Sequence, residues 1–221
     1  MASLPLVRIE PLDVAARLAD FALTVDVLRD AVLAGEIARA SCTANDPPAF
    51  PGFSAWAVTT RVLRELLMPE DWTKSDKGGF STVISPDGLM AIVVATGDDS
   101  TGNSDKPPKT KFPRGPITQE AVQRNGQYDL FASLVDPGRG TMPAETTGIP
   151  VVTWMLLIAR KPNALQAELS LPAAIGDDLR VEKWNERIIL PSIRPDDDDQ
   201  VPLPTPAPSP DFDVDVVRRI G

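Results

Sequence analysis

The spacing of apolar residues changes from a helical to a strand-like period near Pro69, and no other feature constrains the fold as much. Two runs before Pro69 repeat every three or four residues, which places each run on one face of a helix. They are Val14, Leu18, Phe21, Val25, Leu28 and Val32, then Phe53, Trp56, Thr60, Leu63 and Leu67. Because Thr24 has the residue type of a helix N-cap, the first run fits one bent helix or two abutting helices. Proline is expected to end the second run.

Beyond this point, two pairs of apolar segments predict β-hairpins. Segments 80–84 and 89–96 flank a Ser-Pro-Asp-Gly sequence, which suits a type I turn. Segments 151–160 and 164–171 flank a Lys-Pro-Asn turn, and the second of them alternates between apolar and polar residues. The apolar segment 187–193 predicts one further strand.

Weaker signals lie between the two hairpins. Segment 117–125 predicts a short helix that Gly126 stops, and segment 129–134 predicts a strand. Helices followed by hairpin-linked strands favour an α+β fold, with the N-terminal helices packed on one face of a mainly antiparallel sheet. We expect residues 1–194 to form a single globular domain.

The residue counts exclude several kinds of site. The 221 residues include no histidine and one cysteine, Cys42. Without imidazole, a Ser-His-Asp triad, a Cys-His pair and histidine-dependent zinc sites are excluded. A single cysteine excludes an intramolecular disulfide and a cysteine-ligated iron–sulfur cluster. The sequence predicts no cofactor, and it favours a non-enzymatic function without deciding the question.

Two further patterns bear on location. The first ten residues lack the basic and apolar regions of a secretory signal. The longest apolar stretch, 151–159, is far shorter than the roughly 20 residues that span a bilayer. We therefore expect a cytoplasmic protein with no membrane contact.

Segment 97–116 is the best candidate for a ligand site inside the domain. It has no apolar periodicity, and a loop of this length in a compact domain is often functional. Its basic residues are candidates for binding phosphate groups or nucleic acid, and its early aspartates are weaker candidates for Mg²⁺. A solvated surface loop is the alternative. The aspartates are Asp98 and Asp99, and the basic residues are Lys106, Lys109, Lys111 and Arg114.

The C-terminal tail is a different kind of segment. Residues 195–210 combine an acidic block with five alternating prolines, which favours an extended polyproline II linker. Residues 211–221 alternate by twos and predict a strand with one apolar and one acidic face. Phe212, Val214 and Val216 alternate with Asp211, Asp213 and Asp215. A solitary strand is unstable, so this one must add to a sheet edge if it is ordered.

The edge that the tail meets belongs to a partner protein, to a second copy of the chain or to its own sheet; a solubilising tail is the remaining alternative. The sequence favours a non-enzymatic adaptor or accessory protein that docks on a partner or second copy through the tail. The alternative is a protein or enzyme that binds a phosphorylated ligand or nucleic acid through loop 97–116. A third hypothesis, an acidic mimic of nucleic acid, has thin support because the tail holds more than half of the net charge of −9.

The four tryptophans divide into two pairs. Trp56 and Trp154 lie in apolar periodic segments and are expected in the core. Trp72 and Trp184 have polar neighbours, which predicts partial exposure, either as lids over the core edge or as binding residues.

Overall fold

The structure is a computed structural model that describes residues 5–134 and 151–194, with backbone alone for residues 127–134. The predicted linker 195–210 and docking strand 211–221 lie outside the described residues. Four helices pack against one seven-stranded mixed sheet, so the α+β class is supported.

Three helices come from the N-terminal third of the chain and the fourth follows the first hairpin. They are α1 (Pro11–Ala19), α2 (Val25–Ala40), α3 (Phe50–Leu67) and α4 (Pro116–Leu134). The first apolar run forms two helices rather than one, because the Thr24 hydroxyl accepts a hydrogen bond from the Val27 amide and caps α2. Helix α3 ends at Leu67 and is followed directly by a 3₁₀ turn, Met68–Glu70, which contains Pro69.

The strands lie in the order β1-β7-β6-β5-β4-β3-β2. Their bounds are β1 (Leu6–Arg8), β2 (Thr73–Ser75), β3 (Thr82–Ile84), β4 (Met90–Thr96), β5 (Val152–Lys161), β6 (Ala164–Ile175) and β7 (Val181–Ile189). Four neighbouring pairs are antiparallel, whereas β1 with β7 and β4 with β5 are parallel. Both predicted hairpins are confirmed as β3–β4 and β5–β6. Strand β7 begins six residues before the predicted segment 187–193 and ends earlier, and Ile193 forms an isolated bridge to Leu165.

Both faces of the sheet are covered: the N-terminal helices pack on one face, as predicted, and a fourth helix covers the other face, where the sequence predicted none. Helices α1, α2 and α3 cover the face that carries Ile92, Val94 and Leu156. Helix α4 covers the other face, where its Val122 packs with Val93 and Met155. The parallel pairing of β4 with β5 explains this arrangement, since the chain must cross the sheet between them.

Helix α4 also corrects two local predictions. It continues past Gly126 to Leu134, so 129–134 is helical rather than a strand. Its buried Asn125 holds it to the sheet, because the side-chain amide donates to the carbonyls of Thr153 and Pro172 and accepts from the Thr153 amide. The β5–β6 pairing begins at Met155 with Ser170, so Thr153 and Pro172 lie beyond its last pair, and a single asparagine gives no sequence signal for such a contact.

Among the described residues, no helix has both the length and the apolar character needed to cross a bilayer.

Candidate functional site

The first half of loop 97–116 is fixed to the sheet by a buried ion pair. Arg187 on β7 donates from Nη2 to Glu168 Oε2 on β6 at 2.6 Å and from Nε to Oε1 at 3.0 Å. Glu168 Oε2 also accepts the Gly102 amide at 2.9 Å, and Arg187 Nη2 also donates to the Asn103 carbonyl at 2.9 Å. The two side chains are 0% and 1% exposed. The backbone at Gly102 and Asn103 therefore lies over the buried side chains of Glu168 on β6 and Arg187 on β7.

Gly102 is required for that close approach. Its φ is +77°, and a Cβ atom there would lie 2.6 Å from the Gln166 side-chain oxygen. The backbone conformation and the lack of space both favour glycine at this position.

The middle of the loop covers Trp184. The Trp184 indole donates to the Pro108 carbonyl at 2.8 Å, and the Thr110 amide donates to the Val181 carbonyl at 3.0 Å. Trp184 is 3% exposed and Trp72 is 2% exposed, so the expected partial exposure of both residues is wrong. Long-range contacts bury these rings, and their polar sequence neighbours do not report such contacts.

The two candidate metal ligands lie side by side in the loop. An Asp98 carboxylate oxygen accepts the Ser100 amide at 2.9 Å, while Asp99 is exposed and its backbone carbonyl accepts a hydrogen bond from Lys161. The described residues contain no group of three or more acidic or cysteine side chains placed to hold a metal ion. Mg²⁺ binding by these two aspartates with a ligand stays a prediction.

The four candidate basic residues have different surroundings. Lys106 is exposed, and Lys109 pairs with Glu182 at 2.5 Å, a hydrogen bond that raises the pKa of Lys109. Lys111 and Arg114 line two separate clefts. A contact of this loop with nucleic acid stays a prediction.

The larger cleft has a volume of about 410 Å³ and lies between α2, α3 and the carboxyl ends of β4 and β5. Val32, Ala55, Ile158 and the ring of Trp56 contribute apolar walls. Crevices at the carboxyl ends of parallel strands are common ligand sites in α/β sheets.

Three of the six charged side chains that line the larger cleft are paired with one another. Glu36 is 8% exposed and accepts two hydrogen bonds from Arg39, both of 2.7 Å, which raise the pKa of Arg39. The same carboxylate lies 3.1 Å from Arg160 Nε. Asp98, Asp99 and Lys111 lie along the opposite part of the lining.

A smaller cleft of about 200 Å³ opens where β4 loses its neighbour. Strand β3 pairs with β4 only as far as Val93, so the last residues of β4 have a strand, β5, on one side only. Trp56, Ser81, Arg114 and Thr118 line this cleft, and Trp56 therefore lines both clefts.

Within the part of the chain that the structure describes, Arg114 is the one buried or half-buried arginine without a counter-ion. Its backbone is held, because its amide donates to the Leu179 carbonyl and its carbonyl accepts from Gln119. Nε and Nη2 of its guanidinium are shielded from solvent and have no hydrogen-bond partner within 5–134 and 151–194. Burial lowers the pKa of Arg114.

Three other arginines of this protein show which group binds at the Nε and Nη2 edge of a guanidinium. A carboxylate occupies the Nε and Nη2 edge of each, at distances between 2.6 and 3.0 Å. The pairs are Arg17 with Glu186, Arg39 with Glu36, and Arg187 with Glu168. The Arg114 edge therefore has the geometry of a carboxylate or phosphate site whose acid the described residues do not supply.

The chain matches no protein-family model, no curated protein and no solved structure. The site must therefore be interpreted from its own geometry.

Sequence reasoning identified Arg114 as one of four candidates but missed the clefts and Trp56. Trp56 belongs to the apolar run of α3 and was expected in the core, whereas the structure leaves it partly buried at two openings. The prolines and turn residues of loop 97–116 carry no signal for which of its cations becomes buried. The tail candidates, 211–216, lie outside the described residues.

Proposed function

We propose that this protein binds a small organic anion, and that Arg114 holds its carboxylate or phosphate group in the smaller cleft. The observation that carries the proposal is the solvent-shielded Nε and Nη2 edge of Arg114, which lacks a partner among the described residues. A buried polar group without a partner costs roughly 1–3 kcal/mol, so a ligand that supplies two acceptor oxygens gains that energy on binding.

The surroundings of Arg114 favour an anion further. Helix α4 begins at Pro116, two residues after Arg114, and Thr118 of its first turn lines the same cleft. The amino end of a helix carries a partial positive charge that stabilises anions. Among the lining residues of this cleft, Arg114 is the single ionisable side chain, so no acid competes with a bound anion. Because water does not reach Nε and Nη2, the ligand meets them after a small rotation of the guanidinium towards the cleft.

The test is a titration of the full chain with inorganic phosphate and with acetate at constant ionic strength. We expect one of these anions to raise the free energy of unfolding by about 2.7 kcal/mol at one hundred times its Kd. R114M should abolish this effect, whereas K106M should keep it, because Lys106 is exposed and lines neither cleft. An equal response of R114M and the wild type would reject the proposal.

Tail docking is a second and independent proposal, and it is supported by the alternating residues 211–216 and the proline spacing of the linker. A chain that ends at Pro195 should fold like the full chain but lose a partner protein, or a second copy, that the full chain retains. Equal retention by the two chains at low and high salt would reject an adaptor function.

A further inference from the structure

We infer that the bound anion has a planar apolar group, its body, attached to the charged group. Trp56, at the boundary of the two clefts, selects such anions by stacking on this planar body. This inference rests on the proposed function, since Arg114 must first hold the charged group.

The two clefts lie next to each other. Trp56, Val94 and Ala95 line both of them, so one side chain and the end of β4 separate the anion site from the larger cleft. A ligand held at Arg114 extends past the Trp56 ring, and only a body longer than the anion itself reaches the larger cleft.

The apolar walls of the larger cleft suit an apolar body. Its volume of about 410 Å³ falls within the range of small-molecule sites. Its buried carboxylate, Glu36, is paired with Arg39 and Arg160, and Asp98, Asp99 and Lys111 are the other charged side chains of the lining. Val32, Ala55 and Ile158 provide apolar contact area.

Trp56 is the tryptophan that can meet a ligand. The other three, Trp72, Trp154 and Trp184, are 2–3% exposed, whereas Trp56 is only partly buried. Phe53 packs against Trp56 with ring centroids 5.5 Å apart and an interplanar angle of 44°. This contact supports the indole from the α3 side, so its orientation is set before a ligand arrives. A planar ring of the ligand makes favourable offset-stacked or edge contacts with such an indole, and a flexible aliphatic group gains less binding energy there.

The probes are methyl phosphate and phenyl phosphate, which share the anion and differ in the body. We expect the full chain to bind phenyl phosphate about tenfold more tightly than methyl phosphate, with a change in tryptophan fluorescence. W56A should reduce the preference to about twofold or less, and R114M should abolish binding of both probes. W56F should keep most of the preference and lose the fluorescence change.

The control variant is F50A. Phe50 is an exposed aromatic residue at the start of α3 and lines neither cleft, so F50A should bind both probes as the wild type does. Circular dichroism of each variant shows that the fold is intact. If W56A fails to fold, W56L, which removes the ring but keeps an apolar side chain, carries the test and should reduce the preference in the same way.

The outcomes separate the two proposals. If both probes bind equally and R114M removes both, Arg114 binds an anion but the inference about Trp56 is wrong. If W56A, or W56L in its place, keeps the full preference, the inference is wrong as well. If neither probe depends on Arg114, the proposed function fails and the inference fails with it.

Discussion

Arg187 and Arg114 both have the Nε and Nη2 edge of the guanidinium shielded from water, and they differ in what lies opposite that edge. Arg187 meets Glu168 across the β6–β7 pair, and the Gly102 amide and the Asn103 carbonyl complete the hydrogen bonding of this ion pair. Arg114 presents the same Nε and Nη2 edge to no acceptor among the described residues. Arg187 contacts loop 97–116, and Arg114 belongs to it. The loop therefore meets one cation that has a counter-ion and contains another that has none among the described residues.

This difference distinguishes an arginine that stabilises the fold, Arg187, from an arginine that we propose binds a ligand, Arg114. A buried cation with its counter-ion supplied by the chain holds the fold in one arrangement. A shielded cation without a counter-ion lowers stability, and an unsatisfied buried group in a folded protein calls for an explanation, of which a bound ligand is one. Under the proposed function, the loop changes role along its length, from a fixed cover at Asn103 to a wall of the anion site at Arg114.

The largest expected effect comes from removing the counter-ion of Arg187. E168Q leaves Arg187 buried without a negative partner and weakens the anchor of Gly102, so we expect a loss of about 3–5 kcal/mol in the free energy of unfolding. Urea denaturation monitored by circular dichroism measures this loss.

The control for this prediction removes both charges. The double variant E168M/R187M leaves no unpaired buried ion, so it should lose less stability than E168Q alone. A double variant that is less stable than E168Q would show that the hydrogen bonds to the loop matter more than the charge balance.

The sequence predicts much of this framework. The four-residue turn at 85–88 and the alternation at 164–171 predict the hairpins, because both signals are local. The pairing of Glu168 with Arg187 is not local, since it depends on the β6–β7 register, which places Arg187 opposite Ser170. The same limit applies to α4, whose position on the second face follows from the parallel pairing of β4 with β5.

The second prediction concerns Arg114 and has the opposite sign. R114M removes a shielded cation that lacks a partner, so without ligand it should raise the free energy of unfolding by about 1–3 kcal/mol. R187M is the matched variant, and it should destabilise the protein because it leaves Glu168 unpaired. A loss of stability in R114M as large as in R187M would show that Arg114 has an acidic partner in the folded chain.

The candidate site could be predicted only in part, for a physical reason. Lys106, Lys109, Lys111 and Arg114 look equivalent in sequence, because all four follow one another in a proline-rich stretch. What distinguishes Arg114 is shielding in a cleft formed by residues distant in sequence, including Ser81 and Trp56. Contacts of that kind depend on how α3, α4 and the end of β4 meet, and no local pattern encodes them.

The smallest expected effect concerns Glu186, an intermediate case in which the ion pairs are partly solvated. Burial raises the pKa of Glu186, but hydrogen bonds from Arg17 and Arg8 outweigh it and bring the pKa below the usual value of 4.5. The contribution to stability is therefore complete above about pH 4.5 and is lost as the pH falls through the lower pKa of the folded state.

E186Q should cost roughly 1 kcal/mol at pH 6, and its difference from the wild type should shrink towards pH 3. Urea denaturation at a series of pH values measures this difference. E70Q is the control, because Glu70 is exposed and forms no ion pair within the described ranges, so its difference from the wild type should stay near zero throughout. A constant difference for E186Q would mean that Glu186 acts through packing rather than charge. The arginines would then not form the series that runs from Arg187, fully paired, through Arg8 and Arg17 to Arg114, which lacks an acid among the described residues.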